Sequence, residues 1–281
     1  MAVYEQTYRR YDGPVIPRSQ RWLALPRYVW ERLAGSKLVI VLLVVAGVLT
    51  LGAALWVYVE HSVAALTASK IEKLPFSLDF YWFLRVQLYF GALLLLVAGP
   101  PLISMDLANG ALPLYFARPL QRWEYLLGKV SLLLVVLSLI SWVPTLILVA
   151  IKVIMAEPGW FGQNSWMVGA TLGSGLVWIL VMSLLTLALS AAVRWPLVVR
   201  GLLLVIFLVM PGFSLAMNAA SRSKWGDVLN LPGALDAVIA TFFRRGDVEF
   251  SLALAWAMVF AVIGFSILLI FKKLRAYEVV S

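Results

Sequence analysis

The chain has 281 residues, 63% of them apolar and only 13% charged, with a net charge of +9 and a mean hydropathy of +0.93. So few charges cannot cover the surface of a soluble domain of this size, which excludes an ordinary soluble fold. With no cysteine and one histidine, His61, the sequence also excludes disulfides, thiolate metal sites and a multi-histidine metal centre.

Met1 to Pro17 reads as an irregular arm with Tyr4, Tyr8 and Tyr11 and the breakers Gly13, Pro14 and Pro17. In Arg18 to Ser36, Trp22, Leu25, Val29, Trp30 and Leu33 fall near one helical stripe, while Arg18, Arg21, Arg27, Glu31 and Arg32 take other faces. Trp and apolar residues opposite arginines describe a helix lying in the membrane interface; Pro26 kinks it or begins its second part. A plain set of topogenic arginines would not need the paired tryptophans. Residues 1–36 therefore read as an arm and interfacial helix, 37–275 as the membrane domain and 276–281 as a short tail.

Six charge-poor runs reach the ~20 residues needed to cross the hydrocarbon layer as a helix. They are Leu38 to Val59, Val86 to Met105, Val130 to Ile151, a stretch within Pro158 to Val193, Gly201 to Ser221, and Phe250 to Phe271. Barrel strands would instead alternate in segments of about 10. The predicted fold class is an all-α membrane protein with six transmembrane helices. The first run begins too late and runs too long for a secretory signal peptide, so it is expected to be retained.

The second span opens in the aromatic cluster Phe80 to Phe83 and meets Pro100-Pro101 near its far end. Pro144 predicts a kink in the third span, and Pro158-Gly159-Trp160 an interfacial turn after it. Arg194-Trp195-Pro196 makes a short turn before the fifth span, which carries Pro211-Gly212 in mid-membrane, where neighbours or water must satisfy the freed carbonyls. Leu231, Leu235, Val238, Ile239 and Phe242 recur at helical spacing and predict a short amphipathic helix on or dipping into the outer leaflet.

With the N-terminus placed in the cytoplasm, the cytoplasmic segments hold 15 Lys/Arg against 6 Asp/Glu and the external ones 7 against 8. The basic excess thus lies on one side, as the positive-inside rule expects. It marks lipid headgroups as a partner, not nucleic acid.

Catalytic patterns are missing. Gly128-Lys129 lacks the upstream glycine and following Ser or Thr of a phosphate loop, and Gly173-Ser174-Gly175 has the wrong spacing for a nucleophile elbow. The chain reads as a non-enzyme that holds no cofactor. Arg85 is the one ionisable residue inside a span. Either it snorkels or pairs with Glu60 or Asp79, a structural role, or it belongs with Gln87 to the external half of a transport path. Gly169-xxx-Gly173, followed by Gly175, permits close helix approach within the chain or between chains.

The richest segment is Ser104 to Lys129, between the second and third spans. Asn109-Gly110 should end the second span, with glycine in the left-handed conformation. Ala111 to Ala117 can then form a short helix exposing Leu112, Leu114, Tyr115 and Phe116, and Pro119 suits the start of the helix feeding the third span. Arg118 and Arg122 frame that junction and can bind carboxylates or lipid phosphates. A plain anchoring loop needs arginines but not this whole arrangement.

The run resembles the coupling loop of permease subunits of type-2 ABC transporters: an acid, a Gly-Ala opening a short helix, Pro with nearby Arg, then Leu-Gly-Lys entering the third span. The matching residues are Asp106, Gly110, Ala111, Arg118, Pro119, Arg122, Gly128 and Lys129. The span count, the interfacial helix and the amphipathic segment before the last span extend the likeness over nearly the whole chain. Met105 and Ala108 stand where the family often has basic residues. The resemblance implies a permease subunit of the bacterial inner membrane, with both termini cytoplasmic. It also implies pairing with a second permease and two copies of an ATP-binding subunit that carry ATP and Mg, with export as the usual direction. Asp106, Gly110, Leu114, Tyr115, Phe116, Arg118, Pro119 and Arg122 would form the ATPase contact. A secondary transporter or channel, or a scaffold subunit, are the competing readings; the first two would want more intramembrane charge or inverted repeats.

Overall fold

The computed structural model describes residues 30, 35–66, 78–116, 121–156, 158–246 and 250–275, with backbone alone for 63–66, 116 and 275. Arg118, Pro119, the tail 276–281 and nearly all of the expected interfacial helix lie outside the described residues. Within them the chain is helical, without strands. Six helices are long and apolar enough to cross a membrane, which marks an integral membrane protein: Lys37–Ser62, Phe80–Ala108, Arg122–Met155, Trp160–Ala192, Pro196–Ser221 and Leu252–Leu274.

The first span is helix α1 (Lys37–Leu66). The second divides at Pro100 into α2 (Phe80–Ala98) and α3 (Pro101–Ala108), and short helix α4 (Ala111–Phe116) follows. The third divides at Ser141 into α5 (Arg122–Ile140) and α6 (Trp142–Met155), three residues before Pro144. Helix α7 (Trp160–Asn164) leads into α8 (Trp166–Ala192), the fourth span. The fifth is α9 (Pro196–Leu204), a π-helical turn (Val205–Val209) and α10 (Met210–Ser221). A 3₁₀ turn (Trp225–Leu229), α11 (Leu231–Phe242) and α12 (Leu252–Arg275) complete the chain.

Helix α8 is the hub, packing against α2, α3, α5, α6, α9, α11 and α12. The reason lies in its side chains. Thr171, Ser174, Ser183, Thr186 and Ser190 are small, and all are buried. A Cβ on Gly173 would strike the Phe242 ring of α11, and one on Gly175 would strike Trp142. The glycine pattern in this span therefore serves packing within the chain, while Gly169 meets nothing. By contrast α1, the fifth span and α12 leave much of their apolar surface exposed, as helices facing lipid do.

Two of the three proline-associated breaks are mended locally. Pro101 lacks an N–H, and the helix restarts with the amides of Ile103 and Ser104 seeking new acceptors. Ser190 of α8 accepts from both, at 3.2 and 2.8 Å, and donates to the Pro100 carbonyl at 2.6 Å. The hydroxyl of Ser104 reaches the same carbonyl at 2.5 Å. Around Pro211, which cannot donate to Phe207, the helix widens so that the Met210 N–H bonds the Val205 carbonyl.

Ser190→Ala strips two buried amides of their acceptor and should lower stability by about 1–2 kcal/mol. Thermal unfolding in detergent would read this as a lowered midpoint; an unchanged midpoint would mean that the break needs no brace from α8.

The expected amphipathic helix exists as α11 but does not lie on a surface. Leu231, Leu235, Val238 and Ile239 are buried, and so are Ala234, Ala237 and Ala240 on its other faces. Helix α11 packs against both α8 and α12, while Ala237 and Ala240 line a cavity toward α10.

Candidate functional sites at the two ends of the bundle

At the end bearing the 106–123 loop, Asn109-Gly110 terminates the second span as expected, with Gly110 at φ +64°. Helix α4 then turns one side inward. Leu112 is fully buried, against the expectation of exposure, and the Tyr115 ring packs 5.8 Å from that of Tyr125. Positions 112 and 115 share a helix face, so burying one draws in the other. Leu114 falls on the opposite side and is 72% exposed. Only the backbone of Phe116 is described.

Beneath α4 lies a buried polar cluster. Lys129 Nζ donates to Asp106 Oδ2 at 2.9 Å and to the Leu102 carbonyl at 2.8 Å; Tyr125 Oη donates to the same carboxylate oxygen at 2.6 Å. Tyr125 and Lys129 are four apart on α5, and Leu102 and Asp106 four apart on α3, so two helical faces close on each other. The Lys129 side chain is only 4% exposed. Asp106, expected as a partner contact, thus spends its charge inside the chain. Arg122 opens α5, whose first turn is fixed by Glu124 accepting from the Gln121 N–H at 2.8 Å.

The opposite end carries a cavity of about 630 Å³ between the second span, α10, the 3₁₀ turn and α11. Arg85 projects into it and pairs with Asp236 of α11 at 2.5 Å, with its guanidinium 4.8 Å from the Trp82 ring. The two partners foreseen for Arg85 are engaged elsewhere: Glu60 with Lys152 at 3.3 Å, and Asp79 with Arg245. Burial raises the Asp236 carboxyl above its ordinary range, and the opposing pull of Arg85 does not restore it.

Arg244 ends α11 in the left-handed conformation, φ +56°. The Arg244 and Arg245 amides bond back to Thr241 and Ala240, both at 3.0 Å, closing a Schellman turn. That turn lays Arg244 over Trp166 at 4.6 Å and Arg245 over Tyr81 at 4.9 Å. Across the cavity, Asn218 clasps the 3₁₀ turn, donating to Asp227 and accepting from the Gly226 amide, each at 2.7 Å.

Gln87 does not line this cavity. Two residues beyond Arg85 it points to another face of α2, where it is buried and donates to Thr50 at 3.0 Å and to the Ala46 carbonyl at 3.2 Å of α1. It joins the first two spans. A smaller cavity of about 50 Å³ continues past the ion pair to Trp178 and Phe207.

The residues that sequence reasoning missed are Asp236, Tyr125 and Ser190. A carboxylate on an otherwise apolar helical stripe was the available signal for Asp236, and four-residue spacing from Lys129 the signal for Tyr125.

Comparison with protein-family models and with curated proteins finds no match to this sequence.

Proposed function

We propose that the chain is the transmembrane permease subunit of an ATP-driven ABC transporter, working as an exporter with hydrolysis carried out by a separate subunit. The observation that carries this reading is the Asp106–Tyr125–Lys129 cluster under α4. A surface helix that merely anchors a loop needs no buried ion pair at its base. This pair joins α3 and α5, the two helices that flank α4 in the chain, so a push on α4 would be passed to both spans together.

In this reading two ATP-binding subunits, which hold ATP and Mg, close on α4 of this chain and of a second permease, the same or a related chain. Leu114 offers the partner an apolar contact, with Arg118, Pro119 and Arg122 beside it in sequence. Tyr115 acts from within, packing α4 on Tyr125 of α5, and Asp106 ties α3 to α5. Motion of α4 passes into α3, then through the Ser190 brace at Pro100 into α8, which touches most of the other helices. The loop and both termini lie in the cytoplasm.

Coexpression of the full chain with the ABC ATPase encoded nearest to its gene tests the proposal: the two should copurify, and the complex should hydrolyse ATP. Failure to copurify, together with nucleotide-independent transport by the chain alone, would replace it with a secondary transporter. The topology has its own check in this cysteine-free chain. A cysteine at Leu114 should react with an impermeant maleimide only after the cells are opened, and one at Lys224 in intact cells. The reverse pattern would invert the orientation and remove the coupling role of α4.

A further inference from the structure

The cavity at the end opposite α4 has walls that the coupling mechanism leaves unused. We propose that it binds an anionic amphiphile, a molecule with one phosphate or carboxylate group on an apolar tail, and that Arg85 is its principal anion contact. The permease reading enters only in calling that molecule a transported substrate.

Size comes first: about 630 Å³ falls within the roughly 300–1,000 Å³ typical of small-molecule sites. Charge comes next. Three cations line the space, Arg85, Lys224 and Arg245, against two carboxylates, Asp227 and Asp236. Both carboxylates are held, Asp236 by Arg85 and Asp227 by the Asn218 amide, and of the cations Arg245 is committed to Asp79, outside the lining. Arg85 meets Asp236 through one nitrogen, whereas a guanidinium binds an acid best through two parallel N–H groups. Its Nε is buried without a hydrogen-bond partner. That nitrogen has no surface toward the cavity, so an oxyanion would meet the guanidinium through the 24% of the side chain that is open.

The remaining wall suits a tail. Trp82, Pro211, Leu215 and Phe250 line it, and Leu215 is 76% exposed on the sparsely covered fifth span. A chain attached to the acid group can therefore run along α10 toward lipid. Past the Arg85–Asp236 pair only about 50 Å³ remains, so the ligand stops at the pair. A cationic head of the same length would meet cations where it needs acids.

The test is equilibrium binding of radiolabelled dodecyl phosphate to the full purified chain in neutral maltoside micelles, without any ATPase. Saturable binding is expected, weakened at least tenfold by Arg85→Met and about threefold by Lys224→Gln, and unchanged by Lys272→Gln at the other end. Lys224 and Lys272 are exposed, so both glutamine variants should fold even if Arg85→Met does not. Excess dodecyltrimethylammonium and inorganic phosphate should compete at least tenfold less well than unlabelled dodecyl phosphate.

Equal competition by inorganic phosphate would make this a site for small soluble anions and overturn the amphiphile. Equal competition by the cationic detergent, or equal affinity of Lys224→Gln and Lys272→Gln, would overturn the site itself. Because no ATPase is present, either failure leaves the coupling proposal standing, and loss of ATPase capture would leave this one standing.

Discussion

Lys129→Met should be among the most damaging single substitutions in the chain, lowering stability by about 3–5 kcal/mol, as expected when one member of a buried ion pair is removed. It would leave the Asp106 carboxylate facing the bundle with only the Tyr125 hydroxyl, and the Leu102 carbonyl without its donor. Against the ~5–15 kcal/mol that holds a typical domain together, such a loss would sharply reduce the folded protein recovered from membranes. Asp106→Asn should be milder, because Lys129 keeps the Leu102 carbonyl and the asparagine oxygen still accepts from it. Most telling is the double variant Asp106→Asn with Lys129→Met. It removes both charges and should be more stable than Lys129→Met alone, since the unpaired, half-buried carboxylate is gone. Thermal midpoints of the four proteins in one detergent would decide the matter. A double variant that loses the sum of the two single losses would mean that the two residues do not interact, and the clamp beneath α4 would fall with it.

That clamp also marks the boundary of what the sequence makes legible. The six spans are readable because a membrane helix needs only length and absence of charge, both local properties. Gly110 is readable for the same reason: an Asn-Gly pair after an apolar helix has one economical backbone solution, and the chain adopts it at φ +64°. Partners are another matter. Arg85 finds Asp236, which lies 151 positions along the chain, and no local pattern specifies which acid a returning helix will bring back. Glu60 and Asp79 were closer in sequence, but each meets a base on its own side of the bundle, Lys152 and Arg245. Helix α11 misleads in a related way. Its leucine and valine stripe is that of a surface helix, yet the alanines at 234, 237 and 240 are buried as well, because α8 and α12 pack on the helix and another of its sides borders the cavity. In α4 not every apolar side chain of the loop is exposed, because Leu112 is buried. A six-residue helix still has two sides, and the spacing of Leu112 and Tyr115 assigns them inward together.

Leu114→Asp should abolish capture of the ATP-binding subunit while leaving the permease folded, and it should do so where the neighbouring substitution Leu112→Asp destroys the fold. The contrast follows from exposure: Leu114 is 72% exposed and Leu112 fully buried on the same short helix. An exposed substitution of this kind changes stability by about 0.5 kcal/mol or less, so the thermal midpoint of Leu114→Asp should stay near that of the parent. At an interface the same aspartate would have to shed its water against an apolar groove. A loss of 2 kcal/mol or more, typical of a hot-spot residue, is about thirtyfold in affinity and enough to empty a pull-down. Leu114→Met, which keeps an apolar side chain of similar volume, should retain capture and separate loss of contact from loss of helix. The decisive comparison is ATPase recovered per folded permease for Leu114→Asp, Leu114→Met and the parent. If Leu114→Asp retains its partner and its ATP-coupled activity, the exposed side of α4 is not the contact. The buried cluster beneath it would then be a structural brace with no part in coupling.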